Sequence, residues 1–334
     1  MAGRRSPSRT LLAADVGGTK TVLAVFDAGM PRLPIATRTL ASHQIRDLAD
    51  DVAAFLSEVP GARQIESATF AVAGPVFNGS AQLTNLPWHV EGSALRDRLG
   101  IARVEVLNDV EALAWSVPCL GDDELQRLGP AAARGGVRAV LALGTGLGEA
   151  CIAQGRDGLV ALPSEGSHAD FSSQNELQDR LLLQLRQHHD HVSVERTCSG
   201  LALPHLFGFL RDGESQGHGE APESHGCELP ATPEIVDAAL SGRSPLAVAA
   251  VELLTDILAA ECGNAALRWL ATGGVYLGGG LPPRLLPFLT SPRFRRVFEA
   301  KGRFSSLLAS IPLFVILSPD AVLRGAAWRN ANLP

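Results

Sequence analysis

Short, nearly continuous apolar runs broken by glycine alternate along this chain with longer segments of helical spacing. Residues 10–29, TLLAADVGGTKTVLAVFDAG, read as strand, tight glycine turn and strand, with no helix between them. LADDVAAFLSEV (48–59) has helical spacing, with Leu48, Val52, Phe55 and Leu56 on one side. SATFAVAGPV (67–76) is a buried strand ended by Gly74-Pro75, and GSALRDRLG (92–100) is a short helix with Ser93 as its cap. RVEVLNDVEALAWSV (103–117) passes from strand to helix at Asn108-Asp109.

The strand–glycine–strand figure returns at RAVLALGTGLGEACIAQG (138–155), so the layout suggests two related halves. NELQDRLLLQLRQHHD (175–190) predicts an amphipathic helix with Leu177, Leu181 and Leu185 on one face. The Gly-, Ser-, Pro- and His-rich stretch 211–231 reads as a surface excursion or mobile loop. SPLAVAAVELLTDILAAECGNAALRWL (244–270) predicts a long central helix. GGVYLGGGLPPRLLPFL (273–289) is strand, glycine turn and helix, IPLFVIL a late strand, and AVLRGAAWRN a last helix.

Composition narrows this picture. A chain of 334 residues suggests about two domains, and 46% hydrophobic with 19% charged residues is a globular balance. A net charge of −6 disfavours nucleic-acid and acidic-membrane partners. Five scattered cysteines with no C-x-x-C argue against a disulfide framework or structural zinc and for a cytoplasmic location. No apolar run approaches a membrane span, and Asp15 interrupts the first one too early for a secretory signal.

Three glycine turns end predicted strands: Gly17-Gly18-Thr19, Gly144-Thr145-Gly146 and Gly278-Gly279-Gly280. Glycine lets backbone N–H groups approach phosphate oxygens without a Cβ in the way. One such turn reads best as a plain hairpin, whereas three, two of them beside threonine hydroxyls, point to a nucleotide. The P-loop pattern is absent, and GTGLGEACIA has neither the spacing nor the following helix of a dinucleotide fold. Asp15, at the end of a buried strand, needs a partner. Mg²⁺ suits it, as does the N–H of its own turn.

Asn108-Asp109 is either a helix cap or the place of a base that accepts a proton from a hydroxyl attacking the γ-phosphate. ALPSEGSHADF (161–171) sets Glu165 and His168 among small residues, a combination suited to hydrogen-bonding a polyol. Glu195, in VSVERTCSG, is a further acid beside a small-residue turn, where an ordinary surface charge is also common. The HHDH at 188–191 reads as solvated groups at a helix end rather than as a metal site.

In combination, DVGGTK, AGPV…LTNLPW, LNDVEA, LGTGLGEA, LPSEGSHADF, VSVERTCSGLAL and TGGVYLGGGLPPRLL resemble the bacterial ATP-dependent glucokinases of the actin/hexokinase superfamily, over roughly residues 10–330. The resemblance implies an α/β, two-domain actin/hexokinase-like (ribonuclease H-like) fold with an interdomain cleft. It implies a small domain from 10–117 plus 316–334, a large domain at 118–315 and a disordered segment at 1–9. The implied reaction is transfer of the γ-phosphoryl of MgATP to the 6-hydroxyl of glucose, by a cytoplasmic homodimer.

By the same resemblance Asp109 is the base. Asn85, Asn108, Glu165, His168 and Glu195 hold the sugar. Asp15, Gly17, Gly18, Thr19, Gly144, Thr145, Gly146, Gly279 and Gly280 cradle ATP and Mg²⁺, with Asp15 on the metal through water. The chain departs from the family pattern at Ser164 and Ser167, where glycine is common, at Leu201-Ala202, and across SPDAVLRGAA (318–327). It also lacks the cysteine cluster of the related ROK kinases. A kinase of another hexose or an amino sugar, and a non-catalytic sugar sensor of the same fold, use the same residues. An intact Asp109 favours the enzyme.

Overall fold

A computed structural model describes residues 9–60, 65–83, 88–132, 134–216 and 229–332. The expected disordered segment at 1–9 lies outside these except for Arg9, as do Asn85 and residues 217–228 of the predicted excursion. The chain divides into two compact units, one holding residues up to Gly121 and from Ser318 on, the other Asp122–Leu317.

The first unit opens with β1 (Thr10–Val16), β2 (Lys20–Asp27), β3 (Pro34–Ala41), α1 (Leu48–Glu58) and β4 (Ser67–Val72). A small antiparallel sheet follows, β5 (Val76–Phe77), β6 (Ser80–Gln82) and β7 (His89–Glu91), and then α2 (Gly92–Leu99), β8 (Arg103–Asn108) and α3 (Asp109–Ser116). The main sheet has the order β3-β2-β1-β4-β8, with β1, β2 and β3 antiparallel and β4 and β8 parallel to β1. Every residue of β4 is buried, as a central parallel strand covered on both faces requires.

The second unit contains β9 (Leu125–Arg127), β10 (Arg138–Leu143), β11 (Leu147–Gly155), β12 (Gly158–Ser164), α4 (Glu176–Arg186), α5 (Val194–Thr197), α6 (Ala202–Gln216), α7 (Thr232–Leu240) and α8 (Pro245–Arg268). It continues through β13 (Gly274–Gly278), α9 (Leu286–Leu289), α10 (Pro292–Glu299), α11 (Ser305–Ser310) and β14 (Leu313–Ile316). Its sheet order is β12-β11-β10-β13-β14-β9. The run from β12 to β14 repeats the β3-to-β8 arrangement, antiparallel for the first three strands and parallel for the next two. The likeness of the halves therefore lies in layout. The last helix, α12 (Ala321–Ala331), returns to the first unit and packs on α3, β1 and β4.

Local chemistry explains the element ends. The Asp47 carboxylate caps α1 by accepting from the N–H groups of Ala49 (2.9 Å) and Asp50 (3.1 Å). Ser244 caps α8, with Pro245 next to it, and α8 is buried around most of its circumference, in keeping with its near-unbroken apolar sequence. Leu181 of α4 is buried, and Leu177 and Leu185 pack against the same core.

Three expectations change. Ser93 does not cap α2: the helix already starts at Gly92, whose N–H donates to the Gly79 carbonyl at 2.9 Å, so Ser93 lies inside the first turn and its hydroxyl donates to the Glu91 carboxylate. Residues 211–216, read as part of the excursion, continue α6. His191, read as solvated, is tied to the 165–168 segment as described below. None of the four described cysteines is in a disulfide, and no described helix is long and apolar enough to cross a membrane.

Candidate active site

In the first unit, β1 carries Asp15 to the mouth of the first glycine turn, opposite Val22 of β2 and beside Ala71 of β4. Burial pushes its carboxyl up to about 6, against the pull of the Lys20 charge. The turn is closed by the Gly17 N–H donating to the Lys20 carbonyl at 3.0 Å. Ser42 braces it from outside. Its hydroxyl donates to the Gly17 carbonyl (2.7 Å) and its N–H to the Thr19 carbonyl (3.0 Å). The one hydroxyl hydrogen being used there, Thr21 is the donor in the 3.0 Å contact between the two hydroxyls. Thr19 stands exposed at the tip.

Across β4, β8 ends in Asn108, whose side-chain oxygen caps α3 by accepting from Val110 (2.9 Å) and Glu111 (3.1 Å). Its amide nitrogen donates to the Gly74 carbonyl at 3.1 Å. Asn108 thus ties the end of β4 to the start of α3. Asp109 is the first residue of that helix, half-buried, with one carboxylate oxygen 2.9 Å from the Val110 N–H. Burial lifts Glu111, two residues further along, to about 7.

In the second unit, Gly144-Thr145-Gly146 joins β10 to β11, again with an exposed threonine tip. The turn is held from behind: the N–H groups of Gly200 and Leu201 donate to the Gly144 (2.8 Å) and Thr145 (3.1 Å) carbonyls. Ala202 then starts α6 on a Ser199 cap at 3.1 Å, so the Leu201-Ala202 departure leaves both the brace and the helix start in place. The turn after β13 packs on the same backbone, with the Leu281 N–H 3.2 Å from the Leu143 carbonyl. Gly279 lies at φ +92, and any Cβ there would overlap the Leu143 carbonyl, so both conformation and space require glycine.

Glu195, in the first turn of α5, reaches the glycine turn. One carboxylate oxygen accepts from the Leu147 N–H at 2.9 Å, in space that a side chain at Gly146 would occupy. The other lies 3.9 Å from Nδ1 of His168, whose Nε2 lies 3.7 Å from the Glu165 carboxylate. His168 is thus flanked by two acids. Glu165 and His168 are each a little over half exposed at the side chain, and Glu195 is 31% exposed.

The segment 165–168 is a short 3-10 turn closed by the His168 N–H on the Glu165 carbonyl at 3.0 Å. Both serine departures are structural here. The Ser164 hydroxyl accepts from the Gly166 N–H at 3.0 Å, and Ser167 is buried. His191 Nε2 is 2.8 Å from the His168 carbonyl, and its Nδ1 is 3.2 Å from Asp170.

The structure therefore brings together Glu165, His168, Glu195 and the 144–146 and 279–280 turns in one unit, and Asp15, the 17–19 turn, Asn108 and Asp109 in the other. Sequence pattern gives Ser42 no role, reads Ser164 only as a departure from the family and His191 as solvated; their bonds to Gly17, Gly166 and His168 are backbone contacts that leave no mark on residue spacing. The Asp15 carboxyl is short of positive charge where it is buried, which fits a hydrated Mg²⁺.

The glucokinase family model matches residues 12–333. A glucokinase of Synechocystis sp. is 35% identical over 95% of this chain and 96% of its own length. One of Chromohalobacter salexigens is 36% identical over 96% and 97%. The crystal structure of a glucokinase from an Antarctic psychrotroph superposes with a TM-score of 0.84 at 29% identity, covering 98% of this chain and 100% of that one. With its two mixed sheets, its three glycine turns and this full-length agreement, the chain belongs to the glucokinase family.

Proposed function

We propose that this protein transfers the γ-phosphoryl group of MgATP to the 6-hydroxyl of glucose, with Asp109 as the base and Glu165, His168 and Glu195 as sugar ligands. The observation that carries this reading is the double reach of Glu195, from the Leu147 N–H at the end of a phosphate-type glycine turn to the imidazole of a sugar-type acid–histidine cluster. A carboxylate that joins these two chemistries suits a kinase of a polyol better than a plain nucleotide-binding domain.

Phosphoryl transfer asks a protein mainly for alignment and charge stabilisation. The 144–146, 279–280 and 17–19 turns offer small-residue backbone to phosphate oxygens. Glu165 and Glu195 accept hydrogen bonds from sugar hydroxyls, and the His168 imidazole adds a further hydrogen-bonding group beside them. Asn108 holds the start of α3, so that Asp109 keeps a fixed place from which to accept the hydroxyl proton. Its second amide hydrogen suits a sugar hydroxyl, and Asn85 would complete the ligand set. Asp15 would hold Mg²⁺ through water, and the ion when bound offsets phosphate charge.

Glu165→Ala is expected to raise the glucose dissociation constant about tenfold or more, since a lost hydrogen-bonding carboxylate leaves hydroxyls unpaired. Unchanged affinity by calorimetric titration would remove Glu165 from the site. A coupled assay crossing several hexoses and amino sugars with several phosphate donors tests the substrate pair, and ATP with glucose is expected to give the highest kcat/KM. Asp15→Asn is expected to raise the Mg²⁺ concentration for half-maximal rate by roughly tenfold, as for other groups that orient a metal's ligands. A parent-like Mg²⁺ profile would show that Asp15 serves only its strand. The proposed homodimer predicts twice the chain mass in sedimentation equilibrium, and fractionation of the native cells tests the cytoplasmic location.

A further inference from the structure

Directly behind the 165–168 turn lies a pair of buried acids, joined by the partly exposed Arg268, that the reaction itself does not use. Glu149 projects from β11 opposite Ser164 of β12, and its side chain is fully buried. One oxygen, Oε2, lies where a Cβ on Gly166 would stand, at 2.5 Å, and accepts from Arg268 of α8 at 2.9 Å. The same guanidinium nitrogen also bonds Glu261, which is 3% exposed. The second oxygen of Glu261 accepts from Asn264 at 3.0 Å, and Asn264 in turn accepts from Lys301 at 2.7 Å. The remaining oxygen of Glu149, Oε1, is buried and makes no hydrogen bond.

A buried carboxylate with an unmatched oxygen is costly as an anion and much less so as an acid. We propose that Glu149, in its protonated form, is a positioning residue that holds the Glu165–His168 turn in its sugar-binding shape, so that glucose affinity falls when Glu149 ionises. The contact is direct, because Gly166 rests against the carboxyl and Ser164, opposite Glu149 in the ladder, fixes the Gly166 N–H. The inference rests on the reading of that turn as the sugar site.

The surroundings support a proton on Glu149 at neutral pH. Burial first, and then the negative charge of Glu261, push it up to about 8, against the pull of Arg268. The other groups that face the cluster are Cys262 of α8 and Cys198 after α5, both held as thiols far above the usual range by burial, and Lys301, which burial pulls down. On the turn itself stand Glu165 and His168. As the pH rises through 8, Glu149 takes on a charge while its Oε1 stays buried and unmatched and its Oε2 shares Arg268 with Glu261. Glu149 is then driven toward water, and the turn loses its floor.

Calorimetric titration of glucose into the nucleotide-free protein at pH 7 to 9.5 tests this, with circular dichroism to verify folding. The parent is expected to lose about five- to tenfold in glucose affinity across that range, a typical size for coupling between neighbouring groups. Glu149→Gln, which keeps the shape and cannot ionise, is expected to match the parent at pH 7 and to stay flat. Glu261→Gln removes the neighbouring charge, and is expected to move the loss to lower pH. A flat parent profile, a Glu149→Gln variant that follows the parent, or an unmoved midpoint in Glu261→Gln each overturns the proposal. Glu165→Ala separates the two readings. If its affinity is unchanged, the sugar site is wrong. If it weakens while Glu149→Gln keeps the parent's pH dependence, only this inference fails.

Discussion

Replacing Asp109 with asparagine is expected to lower kcat by about 100-fold or more while glucose affinity changes little, as for removal of a general base. The substitution is close to isosteric. The side-chain oxygen that meets the Val110 N–H at 2.9 Å can stay, because an amide oxygen also accepts. Asn108, which caps α3 through Val110 and Glu111 and ties it to Gly74, is untouched. What disappears is the ability to take a proton from the attacking hydroxyl. Loss in kcat without loss in sugar binding is the signature of an interaction made only in the transition state. Stopped-flow or coupled-assay turnover, with glucose titration alongside, checks both halves, and near-normal turnover would overturn the role.

The largest stability effect is expected at Gly325. In α12 this residue lies so close to α3 that a Cβ would collide with the Ala112 carbonyl oxygen and approach the Ser116 nitrogen to 2.8 Å. The obstacle is the backbone of α3, and α12 is held on its other side by β1 and β4, so rotamer change cannot relieve it. Overpacking ordinarily costs about 1–3 kcal/mol, and a backbone collision belongs at or above the upper end. Gly325→Ala is therefore expected to lower the melting temperature by roughly 5–10 °C, the equivalent of about 3 kcal/mol in a domain of this size. Because Asp109 opens α3, kcat should fall as well. An unchanged melting temperature would mean that the two helices can part without loss.

Much of this was legible in the sequence where the chemistry is local. The glycine turns, the Asn108-Asp109 joint and the Glu165–His168 pair each lie within a few residues of the strand or helix that positions them. Glu149 was not legible. In GLGEACIA it reads as the polar position of an alternating strand, and its partner Arg268 stands 119 residues away. The bracing by Ser42 is hidden for the same reason, since Gly17 is 25 residues off. Ser93 misled because its cap preference is real, but the helix starts ahead of it at Gly92, which leaves Ser93 inside the first turn with its hydroxyl on Glu91. Long-range pairing leaves no periodicity to read.

The return of α12 sets an order of events during synthesis. One face of the first sheet, with Leu11, Ala13, Ala24, Phe26 and Ala71, is covered by Leu323, Ala326 and Ala327, and Arg329 pairs with Glu105 from 224 residues downstream. While the ribosome is still translating the whole second unit, that sheet waits with an apolar face uncovered. The first unit can complete that core only once α12 has emerged.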